Sequence, residues 1–116
     1  PVQVGTWVPN QMSTSWKTME WDLASAIQAP GAYQIKFLYQ EGAHRLDIQW
    51  AALQIDGKEV CRDRHHGITG AKHQNNMYVL QFDQAQAGEA YKLVAEVRSD
   101  GGTDSHGVIS RRTTGI

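Results

Sequence analysis

Cysteine is almost missing from this chain of 116 residues: Cys61 is the only one. An intrachain disulfide is therefore excluded, and the count neither requires nor excludes an oxidising compartment. No histidine or acid is spaced around Cys61 as a base, so it reads as a small buried hydrophobe rather than a nucleophile. Long apolar runs are lacking too; none approaches the roughly 20 residues of a membrane helix. Nor is there an excess of one charge. The formal net charge is -1, and no basic stripe exists to neutralise phosphates, so nucleic acid is not an expected partner. Arg111-Arg112 is a short basic pair that reads as solvated. The chain opens on Pro1 without a signal-peptide pattern, which leads us to expect a fragment of a longer chain or a processed product. No internal repeat or low-complexity segment is visible.

What is present is alternation. In Gly31–Gln40 the large residues Tyr33, Ile35, Phe37 and Tyr39 occupy every second position, which puts all four on one face of a strand. Pro30-Gly31 before it and Glu41-Gly42 after it are breaks. Shorter stretches repeat the pattern: residues 2–8, then 17–22 with Met19 and Trp21 in phase, 77–82 with Tyr78, Leu80 and Phe82, and 90–98 with Tyr91, Leu93, Ala95 and Val97. Residues 108–112 close the series. Leu23 and Ile27, four apart, suit a single helical turn. In residues 43–55 the phase runs Leu46, Ile48, Trp50 and then slips to Leu53, Ile55, which predicts a bulge or break at Ala51-Ala52. Asp56-Gly57 is a two-residue hairpin signal leading into a returning strand over 58–62. About eight short strands with little helix predict one all-β domain, an antiparallel β-sandwich or jelly roll.

Two stretches have no useful period: 63–76 and 99–107. Long loops of this kind in compact domains are usually functional or mobile. Four of the five histidines fall in or beside them. His65, His73 and His106 would supply zinc ligands if they converged, although their spacing matches no established zinc pattern; the alternative is loop histidines bonded to the backbone. Asp100 and Asp104 flank Gly101-Gly102 and are candidate calcium ligands, or else turn residues bonded to nearby N–H groups. Sugar recognition needs an aromatic face and polar groups for hydroxyls. Trp21 and Trp50 are in phase with the core and are expected inside. Trp7 and Trp16 have weaker phase; Trp16 is the candidate platform, against a reading in which both pack in the core or at its rim. Arg64, His65, His73, Asn75 and Asn76 complete the candidate ligand-binding set. Asp63 with His65 or His66 would orient a base, yet no Ser or Cys sits in a strained elbow beside them. Asp63 and Asp104 are the one loop pair to test as facing carboxylates. The chain is therefore not expected to be an enzyme.

The order of motifs resembles a known family. Residues 16–23 (WKTMEWDL), 30–39 (PGAYQIKFLY) and 42–48 (GAHRLDI) resemble the galactose-binding-like β-sandwich. Residues 63–70 (DRHHGITG), 75–78 (NNMY) and 98–107 (RSDGGTDSHG) narrow the likeness to small C-terminal domains appended to secreted bacterial family-20 β-N-acetylhexosaminidases. The resemblance covers roughly residues 16–110. It implies a non-catalytic accessory module of a secreted or periplasmic carbohydrate-active enzyme, with a carbohydrate and the parent's catalytic domain as partners. It also implies a structural calcium as the candidate cofactor. It carries no catalytic site over. Two further readings are a spacer that packs on its parent without binding sugar, and a small enzyme.

Overall fold

The structure, a computed structural model, describes residues 1–23, 26–72 and 74–114. Among the described residues the regular elements are ten strands: β1 (Val2–Trp7), β2 (Lys17–Asp22), β3 (Gly31–Glu41), β4 (Leu46–Ile55), β5 (Lys58–Asp63), β6 (Gly67–Thr69), β7 (Gln74–Asn75), β8 (Met77–Phe82), β9 (Tyr91–Ser99) and β10 (His106–Thr114). They form two antiparallel sheets. One runs β1-β10-β3-β8 and the other β2-β9-β4-β6-β7, with β5 also paired to β4. β5 takes residues 51–55 of β4 and β6 takes 46–48. Strands β5 and β6 thus share one position along the β4 edge, and β7 adds to β6 beyond it. Setting the two-residue β7 aside there are eight positions, and the chain crosses between sheets at every step except from β4 to β5 and β6, which is a jelly roll.

Alternation explains the core. Tyr33, Ile35 and Phe37 on β3 and Leu93, Ala95 and Val97 on β9 turn toward each other and are buried. Phe37 is the meeting point of three other rings, with centroids 6.3 Å from Trp7, 5.9 Å from Trp21 and 5.8 Å from Tyr78. Trp7 therefore belongs to the core, as does Trp21. The expected turn after β2 is closed by the Ala26 N–H donating to the Leu23 carbonyl at 2.8 Å, and Leu23 and Ile27 are both buried. Residues 24 and 25 of that turn lie outside the described residues. Cys61 is half-buried rather than fully enclosed, and burial pushes its thiol up to about 11.

Three expectations need correction. The phase slip in β4 is real, but the extra residue is Gln49: the register with β9 shifts between Ile48 and Trp50. Ala51 and Leu53 then continue the inward series. Trp50 pairs with Glu96 on the outer face, half-exposed, with the Arg62 guanidinium 3.7 Å from its ring centroid. It is not a core residue. The stretch 63–76 is also not one long loop, since β6 and β7 lie within it. Beyond the bulge the edge of β4 would otherwise have unpaired backbone groups, and Gly67–Thr69 satisfy them. At the β4–β5 hairpin, Asp56 (φ 51°) and Gly57 (φ 76°) both take the left-handed conformation, the primed turn that matches strand twist.

Candidate functional site: a cleft at the rim

β3 and β9 both end at one rim of the sandwich, and β4 and β10 both start there. The 42–45 turn therefore meets the 100–105 loop, with residues 70–72 beside them. Polar contacts lock the two segments together. The Asp104 carboxylate accepts the N–H groups of Ala43 (2.9 Å) and His44 (3.2 Å) and lies 2.8 Å from the His44 ring Nδ1. The Ala43 N–H, and after it the His44 ring, hold this carboxyl below the usual range. Glu41 and the His106 ring make a second pair at 2.8 Å, with the acid and the histidine on exchanged segments.

Behind this seam lies a carboxylate taken out of water. Asp47 is 1% exposed. It accepts from Arg45 Nε at 2.8 Å and from Arg98 Nε at 2.9 Å, while Arg45 also reaches Asp100 at 3.1 Å. Two guanidinium groups and two carboxylates form one neutral network. The Asp47 hydrogen bond holds the Arg45 guanidinium above its ordinary value, against the opposing effect of burial. Such pairing is what a buried carboxylate requires.

Around these groups opens a cleft of about 320 Å³, walled by Tyr39, Ala43, His44, Arg45, Lys72 and Asp100. That volume lies at the small end of ligand pockets. Tyr39 is half-buried, its hydroxyl donates to the Gly42 carbonyl, and its N–H donates to Thr69 Oγ1 at 2.8 Å. One aromatic side chain thus stands beside several hydrogen-bonding groups whose positions are fixed by their neighbours. A second cleft, of about 550 Å³, lies at the opposite end, against Pro30, Ile55 and Phe82.

The residues singled out from sequence are scattered relative to this cleft. Both irregular segments do contribute to it, through Lys72 and Asp100. Asp100 and Asp104, however, are occupied by Arg45 and by the 43–44 backbone and His44. Asp104 bonds backbone some sixty residues away. Among the described residues no group of three or more His, Cys, Asp or Glu side chains converges as a metal site. His73 lies outside the described residues. Arg64 and Asn75 are exposed away from the cleft walls. Asn76 is buried, and its amide donates to the Phe37 carbonyl and, at 2.9 Å, to Gln74 Oε1; it braces β3 and is corrected from ligand contact to interior support.

His65 stacks on Tyr78 at 4.1 Å between centroids and lies 2.9 Å from Asp63. The other Asp63 oxygen accepts the Val79 N–H at 2.9 Å, so this pair seals the seam between the two sheets rather than facing a cleft. Trp16 is half-exposed on the outer face of the six-stranded sheet, with Arg98 4.7 Å from its ring centroid and His66 at 5.8 Å. Reading the sequence alone misses Tyr39, His44, Arg45 and Lys72. The signal for the first three was the Glu41-Gly42 break, which ends the core phase next to them; nothing marked Lys72.

No protein-family model matches this chain, and no curated protein matches it.

Proposed function

We propose that this jelly roll is a non-catalytic accessory module of a secreted or periplasmic carbohydrate-active enzyme, and that it holds carbohydrate weakly in the rim cleft. The observation supporting the reading is the convergence of both irregular segments and the 42–45 turn on a cleft with Tyr39 as its aromatic wall. An aromatic flank with fixed donors and acceptors suits a pyranose, which has an apolar face and a hydroxyl edge. The parent resembling a family-20 β-N-acetylhexosaminidase belongs to the same proposal. So does the absence of catalysis, a reading supported by the Asp63–His65 pair being taken up in the sheet seam.

Titration with chitobiose-type and galactose-type sugars tests this by amide chemical shifts. The expected outcome is movement of the Tyr39, His44, Arg45, Lys72 and Asp100 signals at millimolar sugar. Shifts confined to other regions, or none, would overturn it.

A spacer role is favoured by one separate observation. Leu38, Met77 and Val79 are 38%, 40% and 45% exposed on the neighbouring strands β3 and β8. An apolar surface of that kind suits packing on a parent domain. On this reading no sugar shifts any signal, and deleting the domain lowers the parent's melting temperature.

A further inference from the structure

Arg45, in the wall of the rim cleft, is joined to a polar network beyond it. Arg45 shares Asp47 with Arg98, and Arg98 lies against Trp16. In register, Asp47 on β4 sits beside Arg98 on β9, and β2 begins on the other side of β9 with Lys17 opposite Val97. Trp16 and His66 belong to opposite flanks of this sheet, since β9 and β4 run between β2 and β6. Two strand spacings beyond the first separate their backbones, yet their rings approach to 5.8 Å. The indole therefore reaches across the sheet above the Arg98–Asp47 pair. That explains how Asp47 is hidden on an outer face. It also means that the guanidinium lies beneath the ring of a half-exposed indole.

Resting on the reading of the cleft as a sugar site, we infer that Trp16 is a second platform, and that the ligand is a neutral oligosaccharide running from the cleft over Arg45 and Arg98 to this indole. Three observations carry this. Arg45, just before β4, and Asp47 on β4 are two residues apart, about 7 Å, and Arg98 is one strand further, about 5 Å; the path is longer than one sugar ring. The surface between the two aromatic groups carries the guanidinium groups of Arg45 and Arg98, whose remaining N–H groups suit vicinal hydroxyls. And the positive charges of Arg45 and Arg98 are already balanced by Asp47 and Asp100, so beyond Lys72 in the cleft wall an acidic saccharide gains no unpaired cation from these two residues. Trp50 lies further along the same face, but Arg62 covers it and is itself held by Glu59 at 2.6 Å. That ring is not part of the path.

The test is calorimetric and NMR titration of the 116-residue chain with chito- and galacto-oligosaccharides of increasing length, and with a galacturonate series. Affinity is expected to rise at least about tenfold from the single sugar to the trimer, which is about 1.4 kcal/mol, in one of the neutral series. The Trp16→Ala protein is expected to bring the trimer-to-monomer ratio to about one, and Trp16→Tyr to restore most of it. Dispersed amide spectra establish that each variant is folded. Sugar binding without length dependence, or an unchanged ratio in Trp16→Ala, would overturn the extended path while leaving the cleft reading intact. Tighter binding of the galacturonate series would overturn the neutral assignment. Silence from every sugar would remove the cleft reading itself.

Discussion

Gly67 opens β6 where there is no room for a side chain. A Cβ at this position would press on the Asn75 carbonyl and the Tyr78 hydroxyl. One of those obstacles is backbone and the other is a buried ring, so neither steps aside. Overpacking of this sort costs ~1–3 kcal/mol. Gly67→Ala is expected to lower the urea midpoint accordingly, with the slope unchanged; an unchanged midpoint would mean that β6 is not clamped. Asp63, nearby, responds to pH. Burial pushes its carboxyl up, but the Val79 N–H, the His65 ring and the His65 N–H together outweigh burial and hold it below the ordinary range. A carboxyl lowered on folding stabilises the protein above its unfolded value of about 4 and loses that contribution as pH falls through the folded value. Asp63→Asn is expected to cost ~1–2 kcal/mol near neutral pH, as for a lost charge-assisted bond. That difference should shrink below about pH 4. Parallel curves of urea midpoint against pH for the two proteins would contradict it.

The bulge in β4 organises the six-stranded sheet. Gln49 is exposed and contributes no core contact, yet its presence turns Ala51 and Leu53 inward. Removing that residue would put the second half of β4 out of phase with β9. The shortened protein is expected to lose amide dispersion, whereas Gln49→Ala is expected to stay within ~0.5 kcal/mol of the parent. A well-dispersed spectrum for the deletion would show that the register is not held by the bulge. The same strand shows how far the sequence could be read. A slip was legible there, but a large ring at Trp50 looked like core and a small Ala51 did not. Inside, Ala51 faces Ala95 across the β4–β9 ladder. That small pair leaves space for the cluster of rings around Phe37, so the smaller residue is the one that points in. β3 and β9 could be read directly because each keeps a strict two-residue period. β6 and β7 could not, being three and two residues long and dependent on the free edge of β4. The cleft was legible only as two irregular segments near one rim. Tyr39 continued the inward phase of β3, and only the end of the opposing core leaves it half-exposed.

At the scale of the molecule the first and last strands are neighbours: β1 pairs with β10, joining residues such as Val2 and Arg111. β1 is an edge strand, but it is not dispensable. It brings the fully buried Trp7 against Phe37, with the indole N–H donating to Ser105 Oγ at 3.2 Å. Just beyond it, the Asn10 N–H donates to the Thr103 carbonyl at 2.7 Å. The start of the chain therefore braces the 100–105 loop, which forms one wall of the rim. Loss of a buried Trp alone costs ~3–5 kcal/mol, and loss of the strand also leaves the β10 edge unpaired. Together these approach the whole stability of a domain, ~5–15 kcal/mol. A chain lacking residues 1–8 is expected to show no cooperative urea transition, and a synthetic peptide of those residues is expected to restore it by adding back the edge strand. The milder Trp7→Phe is expected to keep the fold but lose the bond to Ser105. Amides of the 100–105 loop should then exchange with solvent faster than those of β9, because the brace acts on the rim while β9 is held from both sides. Equal acceleration throughout would mean that Trp7 supports only the core; acceleration confined to the loop would tie the stability of the closing strand to the shape of the cleft.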